Sequence, residues 1–229
     1  MNLGIIGGVG PIAGLDLFNR ILLKSNAICD NEYLPMILYS DSKKIASRTE
    51  SFFQNNIKPA KDIIDIIKQL QIFHITHVVI VCNTIHIPLF FDKICDFCSN
   101  NNIKVYSLVD IVEEYIVKNN CVDKYLLLST RATFQSRIYH NILTKSQKTI
   151  INISKNDLLK IDKIIKNFKG NINDYAKYYK EIFNIINKYN YENIILGCTE
   201  LSYIFFKLGI DYYIDPIELL SNKILAEYE

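Results

Sequence analysis

No charge of one sign dominates this chain. Its 26 lysines and arginines stand against 24 aspartates and glutamates, a formal net charge of +2. A nucleic-acid protein would gather basic residues on one face, and this balance argues against that class. Long apolar runs are also missing. The longest stretches are broken by Asn83, Thr84 and His86, so no segment reads as a membrane span, which needs about 20 apolar residues. The opening Met1-Asn2-Leu3-Gly4-Ile5-Ile6-Gly7-Gly8 has neither the charged start nor the cleavage site of a secretion signal. The expected location is the cytoplasm, and the six cysteines read as thiols rather than a disulfide framework. Around Cys95 and Cys98 no second cysteine pair or histidine cluster completes a zinc site, and no metal is expected. Those two read as packing residues in a helix. Cys29 and Cys121 have no partners in sequence.

What is present suits a globular protein. Hydrophobic residues make up 49% and charged residues 22% of 229 residues, enough for one large domain or two small ones. The richness in Ile, Asn, Lys and Tyr runs through the whole chain and reads as a compositional bias. Short apolar runs at 3–7, 36–39, 78–81, 105–108, 125–128, 149–153, 193–196 and 212–214 read as buried strands. Helical spacing lies between them. Leu17, Phe18, Ile21 and Leu22 follow Pro11; Ile63, Ile64, Ile66, Ile67 and Leu70 follow Pro59; Phe90, Phe91, Ile94 and Phe97 follow Pro88; Ile182, Ile185, Ile186 and Tyr189 precede the strand at Asn193. Proline is at home in a first helical turn, where its missing N–H would go unpaired anyway. The alternation predicts an α/β fold with mostly parallel sheets flanked by helices. A weak internal likeness divides it into two similar domains: one strand ends in Cys82-Asn83-Thr84, another in Cys198-Thr199-Glu200. The expected boundaries are 1–100 plus 209–229 for the first domain and 101–208 for the second.

Open α/β sheets bind ligands in the crevice outside the carboxyl ends of their strands, and both cysteines stand there. A helix N-terminus following each would offer unpaired N–H groups and partial positive charge. Such a setting lowers a thiol pKa from about 8.5 toward roughly 3.5–7.5 and holds a carboxylate. Two thiols suit the inversion of a stereocentre, which needs a base on one face and an acid on the other, with the roles exchanged in reverse. A buried cysteine is also an ordinary small core residue. The run Gly8-Val9-Gly10-Pro11-Ile12-Ala13 fits the dinucleotide fingerprint, but the acid expected about 20 residues on falls in a loop at Asp30, and Asp41 comes too late. Its glycines let the backbone approach a small ligand.

Three motifs carry a resemblance. The opening Gly7-Gly8-Val9-Gly10-Pro11-Ile12-Ala13 looks like GGxGPxA, Cys82-Asn83-Thr84-Ile85-His86 like CNTxH, and Gly197-Cys198-Thr199-Glu200 like GCTE. Arg48-Thr49, Thr130, Thr133, Ser136 and Tyr139 add smaller likenesses. On these residues the chain resembles the aspartate/glutamate racemase family, and within it the aspartate racemase branch. The resemblance implies two similar α/β domains with the active site in the interdomain cleft, no cofactor, and a homodimer. It implies catalytic roles for Cys82 and Cys198, and substrate contacts by Gly8, Arg48, Asn83, Thr84, Thr130, Thr133, Lys169, Thr199 and Glu200, with Lys166 competing for the place of Lys169. Arg48 and Lys169 would bind the side-chain carboxylate; Asn83, Thr84 and Thr199 would hold the α-carboxylate. Val81 stands where Pro is common, Gly14 where Thr is common, and the loop 40–44 lacks the usual proline. Glu200, where glutamate racemases carry His, favours aspartate or broad specificity. The expected partner is a small acidic amino acid. The alternatives are racemisation of glutamate, isomerisation of a maleate-type diacid, and non-catalytic binding of an acidic amino acid.

Overall fold

The computed structural model describes residues 1–119 and 122–228, so Cys121 lies outside the described residues. The chain divides into two compact units: Met1–Leu108 with Ile217–Glu229, and Val109–Pro216.

In the first unit β1 (Leu3–Ile6), β2 (Met36–Tyr39), β3 (His77–Ile80) and β4 (Lys104–Tyr106) form one parallel sheet in the order β2-β1-β3-β4. β1 is buried along its whole length. That is why it reads as a continuous apolar run rather than an alternating one: a parallel sheet is covered on both faces. The covering helices are α1 (Pro11–Lys24), α2 (Arg48–Phe53), α3 (Lys58–Leu70), α4 (Pro88–Asn100) and α11 (Pro216–Tyr228), and α5 (Leu108–Asn119) leads out of the unit. α1, α3 and α4 each begin with proline in the first turn, as the sequence predicts. α3 shows the amphipathic logic best. Ile63, Ile66 and Ile67 are fully buried, each contributing about 1.5–3 kcal/mol by burial.

α1 sits very close to the sheet. A Cβ on Gly14 would lie 3.0 Å from the Gly7 Cα and 2.8 Å from Leu38 Cδ1. Glycine at 14 is therefore explained by this close approach. α1 also meets α11 through charge: the buried Arg20 reaches Asp16 at 2.9 Å and Glu218 at 3.1 Å, and Lys24 bonds Glu218 too.

The second unit holds β5 (Lys124–Ser129), β6 (Thr149–Ile150) and β7 (Asn193–Gly197), parallel in the order β6-β5-β7. Around them lie α6 (Arg131–Gln135), α7 (Ile138–Lys145), α8 (Lys155–Gly170), α9 (Tyr175–Ile186) and α10 (Thr199–Lys207). α8 is capped by Ser154, whose hydroxyl accepts the Asp157 N–H at 3.1 Å.

Two boundaries move from their expected places. The first unit runs on to Leu108 rather than residue 100, because β4 pairs with β3 through His77–Lys104 and Val78–Val105. The return falls at Ile217 rather than residue 209, because Ile214 bridges Ile195 in parallel. The run 212–214 supplies only that bridge, not a full strand. Among the described residues, no helix is long and apolar enough to cross a membrane, and no group of three or more His, Cys, Asp or Glu side chains could hold a metal ion.

Candidate active site

In the first unit, the carboxyl ends of β1, β2 and β3 build one wall. β1 runs into the glycine loop 7–10. Gly7 donates to the Tyr39 carbonyl at 2.8 Å, and Val81 donates to the Ile6 carbonyl at 3.2 Å, so the end of β3 lies beside the loop. Gly8 has φ +75°, and a Cβ there would fall 2.8 Å from the Asp41 nitrogen. Only glycine meets both demands, a left-handed backbone and contact with the loop after β2.

Cys82 follows β3 with extended backbone, φ −161°, and is buried. The expected helix N-terminus is not immediately behind it. A 3₁₀ turn at Asn83–His86 intervenes, and α4 begins only at Pro88. Asn83, Thr84 and His86 are all buried. His86 Nδ1 lies 2.9 Å from the Cys82 carbonyl oxygen, and its ring packs 4.4 Å from Phe91, so it fixes the backbone that carries the thiol.

Arg48 opens α2 and reaches the same wall. Its Nη1 donates to the Ala46 carbonyl at 3.2 Å, and its Nη2 to the Val9 carbonyl inside the glycine loop. Sequence reasoning missed Asp62. Its carboxylate accepts the Ala46 N–H at 2.9 Å and pairs with Lys58 at 2.9 Å. The available signal was an acid in register with the apolar face of α3.

In the second unit, Cys198 follows β7 and is the N-cap of α10, with φ −151°. Its Sγ donates to Glu200 Oε2 at 3.0 Å; Thr199 Oγ1 donates to the same oxygen at 3.4 Å. Glu200 Oε1 faces Lys169 Nζ at 3.1 Å, and the carboxylate is 4% exposed. Lys169, from the last turn of α8, thus reaches the carboxylate that the Cys198 thiol bonds.

The helix N-terminus expected at Cys198 is present, but the lowered thiol pKa is not. Burial pushes the thiol well above its ordinary value, and the Glu200 charge adds to the rise, with Lys169 opposing it. An apolar, carboxylate-flanked site disfavours thiolate more than one helix end favours it. Cys198 is a proton-bearing group in this state.

Thr130 is used as a cap: its hydroxyl accepts the Thr133 N–H at 3.3 Å at the start of α6 and donates to Thr133 Oγ1 at 3.1 Å. Thr133 is fully buried. Cys98, half of the Cys95 and Cys98 pair, is buried in α4, and burial raises its thiol to about 12, as suits an inert packing residue.

Comparison with known proteins gives the family and the fold. The profile described as Asp/Glu/Hydantoin racemase matches residues 6–223. Among solved structures, an aspartate racemase of Picrophilus torridus is 26% identical, with a TM-score of 0.82 over 100% of this chain and 94% of its own. An aspartate racemase homologue of Pyrococcus horikoshii is 25% identical, with a TM-score of 0.70 over 99% and 98%. A glutamate racemase of Francisella tularensis, solved with D-glutamate, shares the fold at 20% identity and a TM-score of 0.67, over 99% of this chain and 80% of its own.

Proposed function

Because the chain belongs to the Asp/Glu/Hydantoin racemase family, we propose that it racemises an acidic amino acid, aspartate foremost, using Cys82 and Cys198 as its acid–base pair and no cofactor. The observation that carries the reading is the hydrogen bond from Cys198 Sγ to Glu200. A buried thiol with its proton held on a carboxylate is a loaded acid.

The reaction then runs as follows. Cys82, as thiolate, takes the α-proton; the C–H bond breaks and an S–H bond forms. Negative charge develops on the α-carbon and its carboxylate. The Cys198 S–H delivers its proton to the opposite face. The Cys198 thiolate left behind, buried beside the Glu200 carboxylate, is poorly stabilised and is a strong base for the reverse direction. Asn83, Thr84 and Thr199 are proposed to hold the α-carboxylate and to offer dipoles to the developing charge, and Lys169 to offer its ammonium to the side-chain carboxylate. The likeness to the two aspartate racemase structures, together with Glu200 at its position, favours aspartate over glutamate.

We further propose a homodimer in the cytoplasm. The homodimer is what the family resemblance implies, and Leu15, Leu23 and Ile28 are exposed apolar side chains on the first unit; light scattering of the purified protein tests the assembly state.

Proton NMR of L-aspartate and of L-glutamate in D₂O, without added cofactor, tests the reaction. Loss of the α-proton signal with growth of the D-enantiomer is expected for aspartate. Binding of aspartate with no exchange would replace the enzyme by an amino-acid-binding protein.

A further inference from the structure

We propose that the groove between α8 and α9, on the second unit, is a binding site for a small organic phosphate, a phosphate monoester carried on a hydroxylated body. The site stands apart from the racemase reading, because Cys198, Glu200 and Lys169 line no part of the groove.

Its place follows from the fold. Only residues 171–174 join α8 to α9, and so short a connection sets two helices side by side and antiparallel. Ile164 of α8 and Ile185 of α9 are buried and supply an apolar floor. The groove holds about 540 Å³, within the usual range of ligand pockets and far more than a bare tetrahedral anion fills.

Charge selects the ligand. Lys160, Lys163 and Lys188 line the groove against one carboxylate, Glu181. Two of these ammoniums are gathered from behind by Asp157, whose Oδ1 lies 2.8 Å from Lys188 and 3.5 Å from Lys160. Asp157 is buried and is itself held in place, since its Oδ2 accepts the Tyr189 hydroxyl at 2.8 Å and the Ser154 hydroxyl at 3.1 Å. Each ammonium has three N–H donors, so Lys160 and Lys188 keep donors beyond those that Asp157 takes. Among the described residues Lys163 has no ion-pair partner. Like charges gathered around too little counter-charge raise the local potential and concentrate anions. A phosphate monoester carries a charge of about −1.5 to −2 at neutral pH and three acceptor oxygens, which suits three ammoniums at once. A carboxylate is better matched by the planar fork of arginine, and among the described residues no arginine lines the groove.

The rest of the lining suits hydroxyls. Asn167 and Asn184, one from each helix, each offer an amide donor and a carbonyl acceptor. Neither side chain is hydrogen-bonded within the described residues. With the Glu181 carboxylate they give donors and acceptors to a polyhydroxyl body above the isoleucine floor.

Amide-correlation NMR of the full chain, titrated with ribose 5-phosphate, inorganic phosphate and ribose, tests this. Ribose 5-phosphate is expected to bind saturably and to shift amides within 160–167 and 181–188. Inorganic phosphate is expected to shift the same amides with weaker affinity, and ribose to shift none. Lys163→Met is expected to weaken ribose 5-phosphate about tenfold, as for loss of one charge-assisted hydrogen bond. Asn167→Ala is expected to bring its affinity down toward that of inorganic phosphate. Lys61→Met, an exposed position on α3, is expected to leave binding unchanged, which separates the groove from attraction by overall charge. Absence of saturable shifts would overturn the site. So would shifts centred on Cys198 and the loop 7–10, or equal weakening by Lys61→Met and Lys163→Met. Inorganic phosphate binding as tightly as ribose 5-phosphate would overturn the hydroxylated body.

Discussion

The thiol of Cys198 donates to one oxygen of Glu200 at 3.0 Å while the Lys169 ammonium sits 3.1 Å from the other. The carboxylate thus divides a proton donor from a cation, and the two neighbours pull the thiol in opposite directions. Removing either one gives a signed outcome. Glu200→Gln removes the negative charge and lowers the Cys198 pKa; Lys169→Met removes the opposing cation and raises it further. Rates of iodoacetamide alkylation against pH, in a Cys82→Ser background and followed by mass spectrometry at Cys198, should show the midpoint moving down in the first and up in the second.

Each of Cys82→Ser and Cys198→Ser should lose racemisation by about 10²–10⁴-fold, the usual contribution of a placed acid or base. Both turnover directions matter here. A two-thiol scheme requires L-to-D and D-to-L conversion to fall together in both variants, measured by circular dichroism. Full activity in either variant would remove the scheme.

Gly8→Ala should destabilise the first unit. The left-handed backbone alone costs an alanine about 1–2 kcal/mol, and the added methyl would stand 2.8 Å from the Asp41 nitrogen. Urea denaturation should show a lower midpoint, and the racemisation rate should fall with it. A midpoint equal to wild type would mean the loop after β2 yields freely.

Asp157 gives a pH dependence of stability. Its hydrogen bond with Lys188, helped by Tyr189 and Ser154, lowers the carboxyl from its ordinary 3.8 to about 2, against a partly opposing burial. A depressed carboxyl stabilises the fold above its unfolded value and stops doing so as pH falls through its folded value. Asp157→Asn should therefore lower Tm at neutral pH. The gap from wild type should narrow as pH falls from about 4 toward 2. A gap independent of pH would assign the loss to packing instead.

Much of the fold was legible in the sequence because its signals are local. The run at 36–39 is β2 to the residue, and Pro11, Pro59 and Pro88 each stand in the first turn of a helix. Pairing was less legible. Whether the short run near 105 joins the sheet of the first unit or the second depends on a ladder with β3, which no local pattern announces. The site divides in the same way. Cys82 and Cys198 stood out through their position after strands and the motifs around them. The raised pKa of Cys198 was hidden, because it follows from burial and from a carboxylate that hydrogen-bonds the thiol. Asp62 was hidden too: an acid beside Ile63 in a helix looks like a boundary residue until its carboxylate is seen to hold Ala46.

The last helix belongs to the first unit, and this sets an order of events during synthesis. Val109–Pro216 emerges from the ribosome between the two parts of its neighbour. At roughly 5–20 residues per second, the second sheet can close while the first still waits for α11. Arg20, 1% exposed in the finished protein, lacks its Glu218 partner for all of that time. The fold that starts first is therefore completed last, and the nascent chain passes through a stage in which α1 has a charged seam open to whatever meets it.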